Sequence, residues 1–337
     1  MKELNLFGKE ILNIAITLEC DCQCKHCYIE SFEGISDKDL GLKTWKEIID
    51  LFVNNGGREV CFHGGEPLLY ENIGKIVYYA WQRGLETSII SNLINLDHSL
   101  IEVFKETQTY ILTSLDGPRE NYFQFRGLDK LDLIIENIDL LRKNGLSVHP
   151  IHIVHGKNYS DLSWITEFCN SREIKVATLS PLQPIGRAAQ LKDYWLSPEE
   201  LGEFIDIFTQ LNKENKRVKF VTQSIFKPGD LESFTAQENY LKTYNDRYLN
   251  IFNDGSILPD FDLPDMRNFS LGNITEIPLK INQKKEKAYR ETLDKAFIRG
   301  KSKLQKGIPI NWIEEVQIAA KEQLSPDKQG KNLEKEE

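Results

Sequence analysis

A chain of 337 residues, 40% hydrophobic and 28% charged, has enough apolar material for one large α/β domain with an appendage. Its net charge of -9 works against phosphate backbones and anionic lipid, so neither nucleic-acid nor membrane binding is expected. No apolar run is long enough to cross a bilayer and the first residues carry no secretory h-region, which makes the expected location cytoplasmic.

In chain order, apolar and β-branched stretches at 11–18, 60–62, 87–90, 110–115, 148–154 and 176–179 read as strands, apolar on both faces as buried parallel strands are. Helical spacing lies between them, with Trp45, Ile48, Ile49 and Phe52 in 44–53 and Leu131, Ile134, Ile135, Ile138 and Leu141 in 129–142. Asn144-Gly145 supplies a helix stop. Strand and helix in alternation imply a parallel sheet with right-handed crossovers, either a barrel, a partly open barrel or a flat doubly wound sheet. In each of these, functional loops sit at the carboxyl ends of the strands.

Past Gly186 the rhythm changes. Ser197-Pro198-Glu199-Glu200 starts a helix, Asn253-Asp254-Gly255 is a hairpin turn, and 284–298 and 312–320 are helical. The expected organisation is a core over 1–190, a C-terminal region over 191–324 and a charged, disordered tail over 325–337.

Four of the six cysteines, Cys20, Cys22, Cys24 and Cys27, fall just after the first strand, whereas Cys61 and Cys169 stand alone. Such a cluster in a large chain without a secretory signal points to a metal or redox site rather than a disulfide framework. Thiolates at Cys20, Cys24 and Cys27 can wrap one face of a cubane and leave one iron without a protein ligand. The competing readings are a structural set of cysteines and a zinc site that uses His26, although no second ligand pair follows for zinc.

The Cys-x3-Cys-x2-Cys-Tyr pattern over 20–28 resembles the signature of the radical S-adenosylmethionine (SAM) superfamily. The resemblance implies a partial (βα)6 TIM-like barrel with a small C-terminal extension. It also implies one [4Fe–4S] cluster whose open iron chelates SAM, and cleavage of SAM to a 5′-deoxyadenosyl radical that abstracts hydrogen from a substrate. An electron donor such as a flavodoxin or ferredoxin is implied as partner. Gly64-Gly65-Glu66-Pro67 resembles the family's GGEP turn, which receives the SAM amino group; Ser91-Asn92 and Ser114-Leu115-Asp116 resemble later strand ends near SAM. Arg126 resembles an arginine that pairs the SAM carboxylate, with a surface arginine as the alternative. The expected cofactor contacts are therefore Gly64, Gly65, Glu66, Asn92, Ser114 and Arg126.

The segment Pro184-Ile185-Gly186-Arg187-Ala188 and the later Gly255 to Asp260 stretch resemble SPASM-type peptide-modifying maturases. Asp260 stands where those relatives carry a cysteine, and no cysteine follows Cys169, so a single cluster is expected. The implied substrate is a ribosomally made peptide, epimerised or crosslinked, with a small metabolite or a non-catalytic iron–sulfur partner role as alternatives. Cys61 and Cys169 are the thiols considered as hydrogen donors. His149, His152 and His155 are not expected to share a metal.

Overall fold

The computed structural model describes residues 9–29, 39–263, 266–276 and 280–324. The expected disordered tail, 325–337, lies outside them.

The first half alternates strand and helix: β1 Ile11–Thr17, α1 Leu42–Asn54, β2 Glu59–Gly64, α2 Ile73–Gln82, β3 Glu86–Ser91, α3 His98–Thr107 and β4 Tyr110–Ser114. It continues with α4 Arg119–Arg126, α5 Leu131–Lys143, β5 Val148–Val154, α6 Ser163–Ser171 and β6 Val176–Pro181. From β1 to β6 each strand pairs in parallel with the next in sequence. A doubly wound sheet needs a point where strand order reverses, and this one has none among the described residues. Right-handed crossovers in constant direction place the helices on one face and curl the sheet into a partial barrel.

The helical stripes read from sequence are buried at Trp45, Ile48, Ile49 and Phe52 in α1 and at Leu131, Ile134, Ile138 and Leu141 in α5, while Ile135 is only partly buried. Helix α4 was not anticipated. Only Tyr122 and Phe125 give it an apolar face, too little for periodicity to register, yet it carries Arg126.

Beyond β6 come α7 Pro198–Glu214, β7 Lys219–Val221, β8 Ile225–Phe226, α8 Leu231–Ala236, α9 Glu238–Thr243, β9 Tyr248–Ile251 and β10 Ser256–Leu258. The described chain then adds β11 Gly272–Asn273, α10 Gln283–Gln305, β12 Ile310–Asn311 and α11 Trp312–Leu324. Ser197 caps α7 in a reciprocal box with Glu200, as its sequence foretells. These elements extend the core sheet at both edges. β7 pairs with β6, while β9 lies parallel to β1 and forms the anticipated hairpin with β10. An amide pair, Asn13 Nδ2 to Asn250 Oδ1 at 2.9 Å, ties the β1–β9 seam. A second apolar core, with Phe234 stacked on Phe297 at 4.8 Å, seats α10 and α11 beside the strand ends.

Candidate functional site

The loop that follows β1 holds the cysteine cluster at the carboxyl edge of the sheet. Cys20, Cys22 and Cys24 are buried, Cys27 is half-buried, and all six cysteines are free thiols. Three neighbouring strand ends clamp this loop. From the end of β3, Asn92 Nδ2 donates to Asp21 Oδ1 at 2.7 Å and to Cys22 Sγ at 3.3 Å; Asn95 Nδ2 donates to Asp21 Oδ2 at 2.7 Å. From α4, Arg126 Nη1 lies 3.4 Å from Cys24 Sγ, and Phe125 O accepts from Lys25 N at 2.8 Å.

From the loop after β6, Arg187 Nε donates to Cys24 O at 2.7 Å and Arg187 N to Cys27 O at 3.0 Å. Gly186 sits at φ +52, where a Cβ would come within 2.4 Å of Cys27 O, so only glycine allows the approach. Arg187 thus caps the cysteine loop.

The sulfurs sense one another. A hydrogen bond from the Cys22 thiol lowers Cys24, burial opposes it, Arg126 adds to it, and Cys24 comes to about 6. Cys20 is lowered in the same way, and Cys22, which supplies both bonds, is raised. Ligand atoms of Cys20, Asp21 and Cys22 lie within 4.8 Å of one another. Cys22 is thus in direct contact with Cys20 and Cys24.

Gly64 and Gly65 end β2 hard against this loop. Gly65 N donates to Thr17 O at 2.8 Å and Glu66 N to Glu19 O at 2.7 Å. A Cβ on Gly65 would lie 2.1 Å from Glu19 O. The glycines therefore serve first the close contact of two loops. Glu66 is buried; its carboxylate accepts from Leu68 N at 2.9 Å, Ser91 Oγ at 2.7 Å and Asn92 N at 2.7 Å. Burial pushes it up to about 7 against the pull of these three bonds. Three of its roughly four acceptor positions are used inside the protein, so Glu66 chiefly splices the ends of β2 and β3.

Arg126 is not a surface arginine. It is buried, and its Nε donates to Asp116 Oδ2 at 2.6 Å. Asp116 Oδ1 accepts from Ile153 N at 3.1 Å. Burial pushes Asp116 up, but Arg126 and the neighbouring His26 and His152 outweigh it and hold it at about 2. His26 is pushed down to about 3 by burial and by Arg126, so its ring is neutral and offers no cation.

The histidines on and just after β5 are held by protein contacts. His149 bonds Tyr110 OH at 2.8 Å and Thr178 Oγ1 at 2.7 Å, His152 bonds Leu115 O at 2.9 Å, and His155 stacks on Phe125 at 4.7 Å.

These strand ends enclose a cavity of about 280 Å³. Cys20, Cys24 and Cys27 line it together with Gly64, Gly65, Glu66, Asn92, Ser114 and Arg126, so every site residue picked from the sequence faces one space. Sequence reasoning missed Gln223 and Asp262, which line it together with Cys22 and Gln183. Cys61 and Cys169 are not among its lining residues. Cys169 is wholly buried in α6, its thiol pushed up to about 12 by burial, and Cys61 is likewise pushed up to about 11.

Residues 14–169 match the family described as the Radical SAM superfamily, and this stretch is a radical SAM domain, of a family that uses a [4Fe–4S] cluster and SAM. Among curated relatives, the Fe-coproporphyrin III synthase of Methanosarcina barkeri is 22% identical over 284 residues, 78% of this chain and 70% of that protein. The chain spans only a little over half the length of other curated relatives it matches. Streptococcus suis SuiB bound to its precursor peptide SuiA superposes with a TM-score of 0.63 at 18% identity, covering 74% of this chain and 59% of that one. Native anSMEcpe with bound AdoMet superposes with a TM-score of 0.64 at 17% identity, covering 96% and 99%. At these identities the structural likeness establishes the fold. No helix among the described residues is long and apolar enough to cross a membrane.

Proposed function

We infer that this chain is an enzyme that holds a [4Fe–4S] cluster on Cys20, Cys24 and Cys27, cleaves SAM there, and acts on a peptide or protein segment. The observation that carries the cofactor reading is the meeting of three buried or half-buried sulfurs, the Gly64-Gly65 turn and Arg126 in one cavity. The residues fit the group. Three sulfur donors from one loop suit iron, leave one corner open, and have a guanidinium beside Cys24 that favours the thiolate. When bound, the cluster and SAM supply reductive cleavage of a sulfonium carbon–sulfur bond and hydrogen abstraction from substrate.

The chain's own residues position and shield. Gly64, Gly65, Glu66, Asn92 and Ser114 would hold SAM, and Arg126 would face its carboxylate while Asp116 fixes the guanidinium plane. Arg187 and Asn92 fix the loop that carries the sulfurs. Ile151, Ile153 and Leu182 add apolar surface to the lining, which would limit water beside the cofactor.

The peptide reading is supported by the charge of the cavity. Its one lining arginine is already bonded to Asp116 and Cys24, and Asp262 faces the same space. A porphyrin bearing several carboxylates, as the similarity to Fe-coproporphyrin III synthase suggests for a small-metabolite reading, would meet no free cation there among the described residues. The test is to incubate the reconstituted chain with SAM, dithionite and a short peptide encoded beside its own gene, in deuterated water. Gain of deuterium indicates epimerisation and loss of two hydrogens a crosslink. A peptide of unchanged mass, with 5′-deoxyadenosine still released, contradicts the peptide reading.

A further inference from the structure

The cysteines, the Gly64-Gly65 turn and Arg126 share the cavity with residues outside those motifs. Asp262 is one of them, and among the described residues no hydrogen bond or ion pair holds its carboxylate. Its near neighbour Asp260 has the opposite fate. Asp260 Oδ2 accepts from Asn245 Nδ2 at 2.6 Å and from Tyr289 OH at 3.4 Å, and Asp260 Oδ1 accepts from Asp262 N at 2.9 Å. One acid is structural and fixes the backbone of the other.

His63 supplies the second, independent observation. Its side chain lines the same cavity and is 5% exposed, yet its buried Nδ1 has no hydrogen-bond partner among the described residues. Phe261 meets the imidazole edge-on at 4.5 Å and fixes its ring, while Asp262, the next residue, reaches the cavity. An unsatisfied buried ring nitrogen is costly unless a ligand or water completes it. Burial pushes His63 down to about 4, so the ring is neutral and can accept or donate.

The wall is also rigid. Gln317 Nε2 donates both to Gln183 Oε1 and to Asp262 O, the latter at 3.0 Å. Gln223 is held between Ser180 Oγ and Asn311 Nδ2, each at 3.1 Å. Packing of α11 and β12 thus presets the groups that face the cavity.

We propose that Asp262 and His63 form the substrate subsite of this cavity, and that it receives a protonated amine carried on the substrate, the ammonium seated on the Asp262 carboxylate and His63 Nδ1 completing its hydrogen bonds. Burial and the neighbouring Asp260 push Asp262 up to about 7, so an arriving ammonium would draw it into the ionised form; with the arginine already engaged, the site favours a cation and rejects a carboxylate or phosphate. The inference deepens the proposed function, on which it rests in taking the cysteine loop as the cofactor site.

The test uses the full reconstituted chain loaded with SAM, and two pairs of probes whose binding is read by saturation-transfer NMR titration. Butylammonium against butyrate asks the charge question alone. N-acetyl-lysine methylamide against N-acetyl-glutamate methylamide asks it on a peptide backbone. The cationic member of each pair is expected to bind about tenfold more tightly. In Asp262→Asn, with iron content and circular dichroism matching the parent, that preference falls to within about twofold. A preference for butylammonium with no binding of either blocked amino acid leaves the subsite standing and overturns the peptide reading. Equal binding within both pairs overturns the subsite and leaves the peptide reading. A preference that survives Asp262→Asn, or binding of no probe, overturns the subsite; the comparison within the parent chain holds even if the variant fails to fold.

Discussion

Acids around the cavity are handled in two ways. On the side of β1 to β4, Asp116 pairs with Arg126, Glu66 with Ser91 and Asn92, and Asp21 with Asn92 and Asn95. Asp262, from the chain after β6, lines the cavity with its carboxylate unpaired among the described residues, and one nitrogen of His63 at the end of β2 is unpaired as well. A surface that receives one fixed cofactor gains from full preorganisation, because each paired group costs nothing further when the cofactor docks. A surface that selects a substrate must keep groups whose hydrogen bonds are completed only by that substrate.

This contrast can be broken first at the paired acids. Arg126→Leu would leave Asp116 buried without its cation, an arrangement that costs roughly 3–5 kcal/mol. Urea unfolding of the apo chain should show a loss of that size. Adding Asp116→Asn should recover a large share, since the pair fails as a unit. Equal losses in the single and double variants would mean that Arg126 acts mainly through packing.

A smaller effect sharpens the same point through pH. Asp116 is held at about 2, below its ordinary 3.8, so the stability it lends is complete above about pH 4 and is lost as pH falls through the folded value. The loss should amount to about 2 kcal/mol between pH 4 and pH 2. Asp116→Asn should flatten that limb of the unfolding curve, and an unchanged limb would place the acid sensitivity elsewhere.

The smallest effect concerns the clamp on the cysteine loop. Arg187→Ala removes the bond to Cys24 O and should cost roughly 1.5 kcal/mol of stability, with fewer irons retained per chain after reconstitution. Arg187→Lys should restore little, because an ammonium cannot reproduce the guanidinium's directed Nε–H. Full iron retention in both variants would show that the loop holds its shape without the clamp.

Much of the cofactor site was legible because its chemistry is local. Cys20, Cys24 and Cys27 lie within one loop, and Gly64 to Glu66 and Asn92 each follow an apolar strand whose burial on both faces marks it plainly. Arg126 was marked but could not be placed, because α4 is polar and its partner Asp116 lies on a different element. The role of Arg187 needed the fold, since its partner carbonyl is 163 residues away. Asp262 and Gln223 were invisible for a related reason. Neither belongs to a motif, and both reach the cavity only because α11 and β12 pack back over the strand ends. At Gly64 and Gly65 the closely approaching group is the neighbouring loop's backbone, a fact that no spacing contains.

Whether the loop after β1 binds an iron–sulfur cubane on three cysteines is decided by anaerobic reconstitution followed by iron and acid-labile sulfide analysis. About four irons and about four sulfides per chain are expected, lost in Cys24→Ala, with an electron paramagnetic resonance signal that shifts when SAM is added to the reduced protein. Zinc without sulfide, or a full complement of iron in Cys24→Ala, would contradict it.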